Sequence, residues 1–186
     1  AAGNVPGVIF VVGQKGKIVY RKAFGARTVK PESSPMTLDT VFDLASLTKV
    51  VATTSSVMAL IEEGKLRLQD PVVKHWPEFG QNGKEKITIR QLLTHTSGLP
   101  SWENYQKRFG DMQGAPVQDH HEKVLAALAE TKLANPIDTK FVYSDLGFIT
   151  LGELVRRVSG KPLDQYARER IFEPLRMRDT SFNPDA

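Results

Sequence analysis

The first part of the chain contains two short runs of β-branched and aromatic residues that predict a β-hairpin. These runs are Val8–Val12 and Lys17–Phe24, and the loop between them supplies two glycines for a turn. The stretch that follows, Thr28–Thr37, contains two prolines and is predicted to be rich in turns.

Between Ser46 and Glu63 the apolar positions recur with helical spacing. They are Val50, Val51, Val57, Met58 and Ile61. Gly64 follows as a helix-ending residue. Because the other faces carry mostly Ala, Thr and Ser, the pattern predicts a helix that is buried on nearly all sides.

The rest of the chain is predicted to consist mainly of helices and loops. A capping box at Thr88–Gln91 begins a short helix, and a long irregular stretch, Ser97–Val117, separates it from a helix at Asp119–Glu130. Ser144 is placed to cap a helix that ends at Gly160, and Pro162 opens the last helix. The order of elements predicts an α+β fold: residues 1–64 form the hairpin and buried helix of a sheet domain, and residues 65–186 form a mainly helical domain.

Composition narrows the classes of function. The 186 residues are 40% hydrophobic and 25% charged, as in an ordinary globular protein. No apolar run approaches the roughly 18 residues of a membrane span. The net charge of +4 comes from interleaved acidic and basic residues, which does not indicate nucleic-acid binding. The absence of cysteine excludes disulfides, thiolate metal sites and thiol catalysis.

Ser46 and Lys49 are three residues apart at the start of the predicted buried helix, so both side chains lie on one face. Ser46 could simply cap the helix and Lys49 could be a surface residue. The helix dipole and desolvation would both lower the pKa of a lysine at this position. Lys49 could then act as a partly neutral base or as an electrostatic partner of a serine nucleophile, and nearby backbone N–H groups could bind an oxyanion.

A second candidate group, Tyr143-Ser144-Asp145, directly precedes another predicted helix. A tyrosine beside a cation can be stabilised as phenolate and act as a general base. The alternative is that Tyr143 is an ordinary half-buried aromatic residue.

Three motifs in order carry a family resemblance: Ser46-x-x-Lys49, then Leu92–Pro100 ("LLTHTSGLP"), then Tyr143-Ser144-Asp145. Together with their flanks, "DLASLTK" and "YSDLGF", they cover most of the chain, and this order resembles the serine β-lactamase and penicillin-binding-protein superfamily. The class C-like branch, with D-alanyl-D-alanine carboxypeptidases, class VIII esterases and related amidases, is the most similar.

The resemblance implies a β-lactamase/transpeptidase-like fold and an acyl-enzyme mechanism without a cofactor. Ser46 would be the nucleophile and an oxyanion donor, Lys49 its activator, and Tyr143 the general base that relays a proton to the leaving group. Asp145 stands where the family usually has asparagine, which contacts the lysine and the substrate. Because an ionised carboxylate cannot donate a hydrogen bond and favours a charged lysine, this departure favours an ester or unusual amide substrate over a β-lactam or peptidoglycan.

A further departure is the missing third motif, Lys-Thr-Gly or His/Trp-x-Gly, on a strand that lines the family's active site. We expect the remaining strands, with this motif and the second oxyanion N–H, to come from another polypeptide: the C-terminal remainder of the same protein or a swapped copy. The alternative function is a sensor or binding domain that is acylated without turnover. The resemblance implies a periplasmic or secreted location and leaves the cytoplasm open.

The remaining candidates are assigned lesser roles. His95 is interpreted as a hydrogen-bonded residue that holds its loop. His120 and His121 are adjacent, which is poor geometry for one metal ion, so we predict no metal site. Trp102 and Tyr105 could line the substrate cleft or pack beneath their own loop.

Overall fold

The structure is a computed structural model, and it describes residues 5–110 and 117–184. The chain divides into two compact units, one ending at Leu44 and the other beginning at Ala45. This division differs from the sequence-based boundary after residue 64, because the Ser46–Glu63 segment packs against helices of the second unit. The combination of a small sheet with a helical part is the predicted α+β class.

The first unit is an antiparallel sheet in the order β1-β2-β3. Strands β1 (Gly7–Gln14) and β2 (Lys17–Thr28) form the predicted hairpin, and a short β3 (Ser34–Pro35) adds to β2 within the segment predicted to be turns. Lys15 and Gly16 both have positive φ, 50° and 74°, as a two-residue type I′ turn requires.

Large apolar side chains of the hairpin are exposed on both of its faces. Successive residues of a strand point to opposite sides of the sheet, and the neighbours Val11 and Val12 are both exposed, as are Val19 and Tyr20. Within the described residues, both faces of the hairpin therefore carry exposed apolar side chains.

The second unit begins with three successive helical segments in place of the predicted single helix. A 3₁₀ turn (Ala45–Leu47) leads into a π-helical segment (Lys49–Thr54), which continues as α1 (Ser55–Glu62). The prediction of burial on nearly all sides is wrong, because Val50 and Met58 are 63% and 47% exposed. Ala52, Thr53 and other buried residues of this segment lie on the face that packs against later helices.

The later helices follow the predicted pattern closely. They are α2 (Ile89–Leu93), α3 (Tyr105–Phe109), α4 (Val117–Glu130), α5 (Asp145–Ser159) and α6 (Leu163–Ala167), which continues as a π-helical segment (Arg168–Phe172). Short 3₁₀ turns occur at Val72–Lys74 and Pro77–Phe79. Helix α3 lies inside the stretch predicted to be irregular, and residues 111–116 of that stretch are outside the described part. Pro162 is the residue that precedes α6.

Side-chain caps fix the ends of the two helices nearest the site. Thr88 and Gln91 form both bonds of the capping box at α2, as predicted. Ser144 Oγ accepts a hydrogen bond from the Gly147 N–H at the start of α5, and Gly160, with φ 74°, ends that helix. The start of α5 is therefore fixed by a hydrogen bond between residues that are neighbours in the sequence.

The main core joins α1, α2 and α5 and includes Leu60, Trp76, Phe79, Leu92 and Leu151. A smaller cluster forms where Ala52 packs with Ala167 and Phe172. Because the π-helical segment Lys49–Thr54 also packs against α5 and α6, the turn that carries Lys49 is held beside the start of α5. Within the described residues, no helix is both long and apolar enough to cross a membrane.

Candidate active site

Ser46 and Lys49 lie on one turn at the start of the second unit. Lys49 Nζ donates a hydrogen bond to Ser46 Oγ over 3.2 Å. The preceding Ala45 has φ 43°, in the left-handed region that a residue with a Cβ rarely adopts. Strained backbone of this kind is often found at functional sites, and here it turns the chain into the helix just before Ser46.

Tyr143 and Asp145 come to the same lysine from the start of α5. Lys49 Nζ lies 2.6 Å from Asp145 Oδ1 and 4.9 Å from the centroid of the Tyr143 ring. The Phe148 ring, one turn into α5, is 5.8 Å from the same ammonium group. The structure therefore brings together four residues that the sequence singled out, and Phe148 adds an aromatic wall that the sequence analysis missed.

Lys49 is a cation in this arrangement. Burial lowers the pKa of its ammonium group, but hydrogen bonds to Asp145 and Tyr143 outweigh burial, so the net pKa is raised. The expectation of a lowered lysine pKa, with a partly neutral base as one outcome, is therefore wrong. Its physical reason is the carboxylate of Asp145, which compensates the charge at the helix start.

The pKa of the Tyr143 phenol, in contrast, is lowered. Hydrogen bonds from Ser46 and Lys49, together with the lysine charge, lower the pKa of its phenol, while the negative charge of Asp145 works against them. A phenol with a lowered pKa next to a serine hydroxyl can accept that hydroxyl's proton. The arrangement is chemically capable of activating Ser46.

The Leu92–Pro100 motif holds the Tyr143 segment in place. The ring Nδ1 of His95 accepts a hydrogen bond from the Ser144 N–H (3.0 Å), and the His95 carbonyl accepts one from the Val142 N–H (2.9 Å). Ser144 Oγ donates to the Pro100 carbonyl (2.6 Å), and the Asp145 N–H donates to the Ser101 carbonyl (2.7 Å). The Leu92–Pro100 motif thus positions the Tyr143-Ser144-Asp145 segment.

Gly98 is required by close backbone approach within this motif. Its φ is 81°, and a Cβ built on it would lie closer than 3.0 Å to the Asn135 carbonyl oxygen. The Gly98 carbonyl accepts the N–H groups of Ala134 and Asn135. A side chain at this position would push the two segments apart.

Trp102 and Tyr105 separate in the structure. Tyr105 packs against the main core and stacks on Phe109, with ring centroids 6.0 Å apart. Burial raises the pKa of the Tyr105 phenol to about 12. The contacts of Tyr105 with the main core and with Phe109 favour the packing role that the sequence left open. Trp102 follows Ser101, beside the start of α5, and is exposed.

The described residues contain no cluster of His, Asp and Glu side chains that could hold a metal ion. His120 and His121 lie on α4, where His121 Nε2 is 3.4 Å from Glu153. His75 is bonded to Asp70.

The chain belongs to the Beta-lactamase family, whose model matches residues 1–186. Among curated proteins it is 34% identical to an N-acetylmuramyl-L-alanine amidase of Bacillus subtilis, over 98% of this chain and 44% of that protein. It is 35% identical to a putative D-alanyl-D-alanine carboxypeptidase of Escherichia coli K12, over 96% of this chain and 44% of that protein. The chain thus spans less than half the length of these relatives.

Solved structures give the same picture. The octameric penicillin-binding protein homologue from Pyrococcus abyssi matches with a TM-score of 0.77 and 33% identity, over 93% of this chain and 40% of the other. EstCE1, a hydrolase with promiscuous acyltransferase activity, matches with a TM-score of 0.78 and 30% identity, over 93% of this chain and 47% of the other. The β-lactamase-like fold is shown, and the similar proteins are named as an amidase, a putative carboxypeptidase, a hydrolase and a penicillin-binding protein homologue.

Proposed function

We propose that this chain carries the nucleophilic half of a serine hydrolase that acts through an acyl-enzyme on an ester, amide or β-lactam bond. The observation that carries the proposal is the position of Lys49 Nζ, between Ser46 Oγ at 3.2 Å and Asp145 Oδ1 at 2.6 Å, with the Tyr143 ring beside it. A serine nucleophile with a phenol of lowered pKa as its neighbouring base, and a cation that stabilises that base, can carry out acyl transfer.

In the proposed mechanism the Tyr143 phenolate takes the proton of Ser46 Oγ as this oxygen bonds to the substrate's carbonyl carbon. The carbonyl electrons move to oxygen, and the Ser46 N–H at the start of the helical turn stabilises that oxyanion. Tyr143 then returns its proton to the leaving group as the tetrahedral intermediate breaks down to an acyl-serine. Water then attacks the acyl-serine with Tyr143 again as the base. Tyr143 returns the proton to Ser46 Oγ as the bond between this oxygen and the acyl carbon breaks, and the acid is released.

Lys49 stays protonated throughout this cycle. Its charge lowers the pKa of the Tyr143 phenol and so favours the phenolate form, and its hydrogen bond orients Ser46 Oγ. Lys49 is therefore an electrostatic partner of the reaction and not the base.

Asp145 is proposed to set substrate preference. Its carboxylate is half exposed, one oxygen is bonded to Lys49, and neither oxygen can donate a hydrogen bond when ionised. A substrate carbonyl that needs an amide donor here would meet a negative charge. Esters and amides without such an acylamido group are the preferred class, and the exposed Trp102 is proposed to contact them.

The activity is proposed for the whole protein, since this chain spans less than half of its relatives. The exposure of apolar residues on both faces of the hairpin supports further strands covering it. We propose that they come from the C-terminal remainder of the protein, covalently joined or as a second polypeptide, or from a swapped copy. Intact mass and size-exclusion chromatography of the active sample identify the source.

The test is covalent labelling with an uncharged fluorophosphonate, followed by peptide mapping. We expect label on Ser46 alone and none in Ser46→Ala. Ser55→Ala, which removes a hydroxyl nine residues further on at the start of α1, should be labelled normally. Label on Ser97 or Ser144, or full labelling of Ser46→Ala, would overturn the assignment. A nitrophenyl ester, a chromogenic cephalosporin and a D-Ala-D-Ala peptide then compare substrate classes, and stoichiometric acylation without turnover would indicate the sensor function.

A further inference from the structure

His95 is joined to the Tyr143 segment in a way that depends on its protonation state. Its Nδ1 faces the backbone N–H of Ser144 at 3.0 Å. An N–H group can only donate, so Nδ1 must present its lone pair, and the ring must be the neutral tautomer with its proton on Nε2. A protonated ring would place a second donor against the Ser144 N–H.

The same ring is part of the wall on which Tyr143 rests. Its centroid is 4.7 Å from the Tyr143 ring, 5.1 Å from Phe148 and 5.6 Å from Phe141. The backbone of His95 is also fixed, with φ 58° and a carbonyl bonded to the Val142 N–H. A movement of the imidazole away from Ser144 therefore disturbs the phenol that lies against it.

The surroundings keep His95 neutral near neutral pH. Burial is the main influence that lowers the pKa of its imidazole, and the Lys49 ammonium lowers it further, while the Asp145 carboxylate raises it. The Tyr143 hydroxyl is a further titratable group on a ring that lies beside His95. Because the folded protein prefers neutral His95, stability and geometry are intact above the usual histidine pKa and are lost as the pH falls through the lowered value.

We propose that His95 is a positioning residue for Tyr143, and that protonation of its Nδ1 disables the site by breaking the bond to the Ser144 N–H. This inference rests on the proposed role of Tyr143 as the base. Two ionisations then govern Ser46 acylation in acid: protonation of the phenolate and protonation of His95.

The experiment follows the rate of Ser46 labelling by the uncharged fluorophosphonate from pH 4.5 to 9 (about the range that brackets a lowered histidine pKa). In the wild type the logarithm of the rate should fall in proportion to pH and then twice as steeply below the His95 midpoint. In His95→Asn, Oδ1 is an acceptor near the Nδ1 position that does not titrate, so the steeper region should disappear. One pH unit below the midpoint, this variant should retain about tenfold more of its neutral-pH rate than the wild type.

His95→Phe keeps the ring packing but has no acceptor, so we expect labelling at least about tenfold slower at neutral pH, which is the size of one lost hydrogen bond to a positioned group. His75→Asn, a histidine bonded to Asp70 away from the site, is the matched control and should keep the wild-type profile. The inference is overturned if His95→Asn keeps the steep acid region or if His95→Phe reacts at the wild-type rate.

A second measurement separates this inference from the proposed function. The amide shift of Ser144 and the imidazole signals of His95 should titrate with one midpoint by NMR, whether or not Ser46 is labelled. If Ser46 is never labelled but the two signals titrate together, the proposed function fails and the link from His95 to Ser144 stands. A Ser144 amide shift that ignores His95 overturns the inference even in an active enzyme.

Discussion

Replacing Gly98 with alanine tests whether the Leu92–Pro100 motif holds the Tyr143 segment by close backbone contact. Gly98 has φ 81°, and a left-handed conformation costs a residue with a Cβ about 1–2 kcal/mol. The added Cβ would also overlap the Asn135 carbonyl oxygen, and forcing extra atoms into a packed site costs about 1–3 kcal/mol. Together these effects predict a loss of about 2–5 kcal/mol in the free energy of unfolding.

Gly160 provides a matched control for this change. Its φ of 74° is similar, but a Cβ built there meets no atom within 4 Å, so Gly160→Ala should lose only the conformational cost of about 1–2 kcal/mol. Urea unfolding of both variants measures the difference, with the slope m expected to stay constant. Fluorophosphonate labelling of Ser46 should slow in Gly98→Ala and not in Gly160→Ala. Equal losses of stability in the two variants would refute the close-contact argument.

Three further predictions concern the charged groups of the site and of the core. Lys49→Ala and Tyr143→Phe should each lower kcat for ester hydrolysis by about 10²–10⁴, and the double variant should lose little more, because the two groups act together. Additive losses in a double-mutant cycle would assign Tyr143 to packing. Asp145→Asn removes the carboxylate that raises the pKa of Tyr143, so the rising limb of the pH–rate profile should move to lower pH. Amide turnover should also rise relative to ester turnover, and an unmoved limb and an unchanged ratio would contradict this role. Lys84→Met leaves two buried carbonyls and one partly buried carbonyl without their donor and should cost about 2–4 kcal/mol in urea unfolding, whereas Lys86→Met, at an exposed position, should cost less than about 0.5 kcal/mol. Equal costs for the two lysines would argue against it.

The sequence predicts best those features that depend on neighbouring residues. The capping box at Thr88 and Gln91 and the cap formed by Ser144 are local hydrogen bonds, and each is confirmed. The pairing of Ser46 with Lys49 also follows from their spacing on one helical turn. Such features need no knowledge of the rest of the fold.

The features that the sequence analysis missed depend on contacts between distant segments. The sequence predicts that His95 is hydrogen-bonded and holds its loop, but no periodicity or cap indicates its partner Ser144, which lies 49 residues away. Lys84 looks like an ordinary surface lysine in the sequence, yet it is fully buried and donates to the carbonyls of Ala129 and Thr131 at the end of α4.

The error about Lys49 has the same origin. The local sequence predicts a lowered pKa for Lys49, because the start of a helix and burial both disfavour a cation. The compensating carboxylate of Asp145 lies almost a hundred residues away in the chain, and the two meet only because the Lys49 segment packs against α5. A pKa direction therefore requires the tertiary contacts as well as the local sequence.

The hydrogen bonds of the second motif also govern how the site opens. Residues 140–144 have no regular secondary structure, yet the amide protons of Val142 and Ser144 are both bonded to His95, and that of Asp138 is bonded to the Thr96 carbonyl. These protons can exchange with solvent only when the two segments separate, so they should exchange together as one cooperative unit. A segment that appears to be a loop is thus expected to be as long-lived as the helices beside it, and the site should be lost by a single local unfolding event instead of gradual fraying.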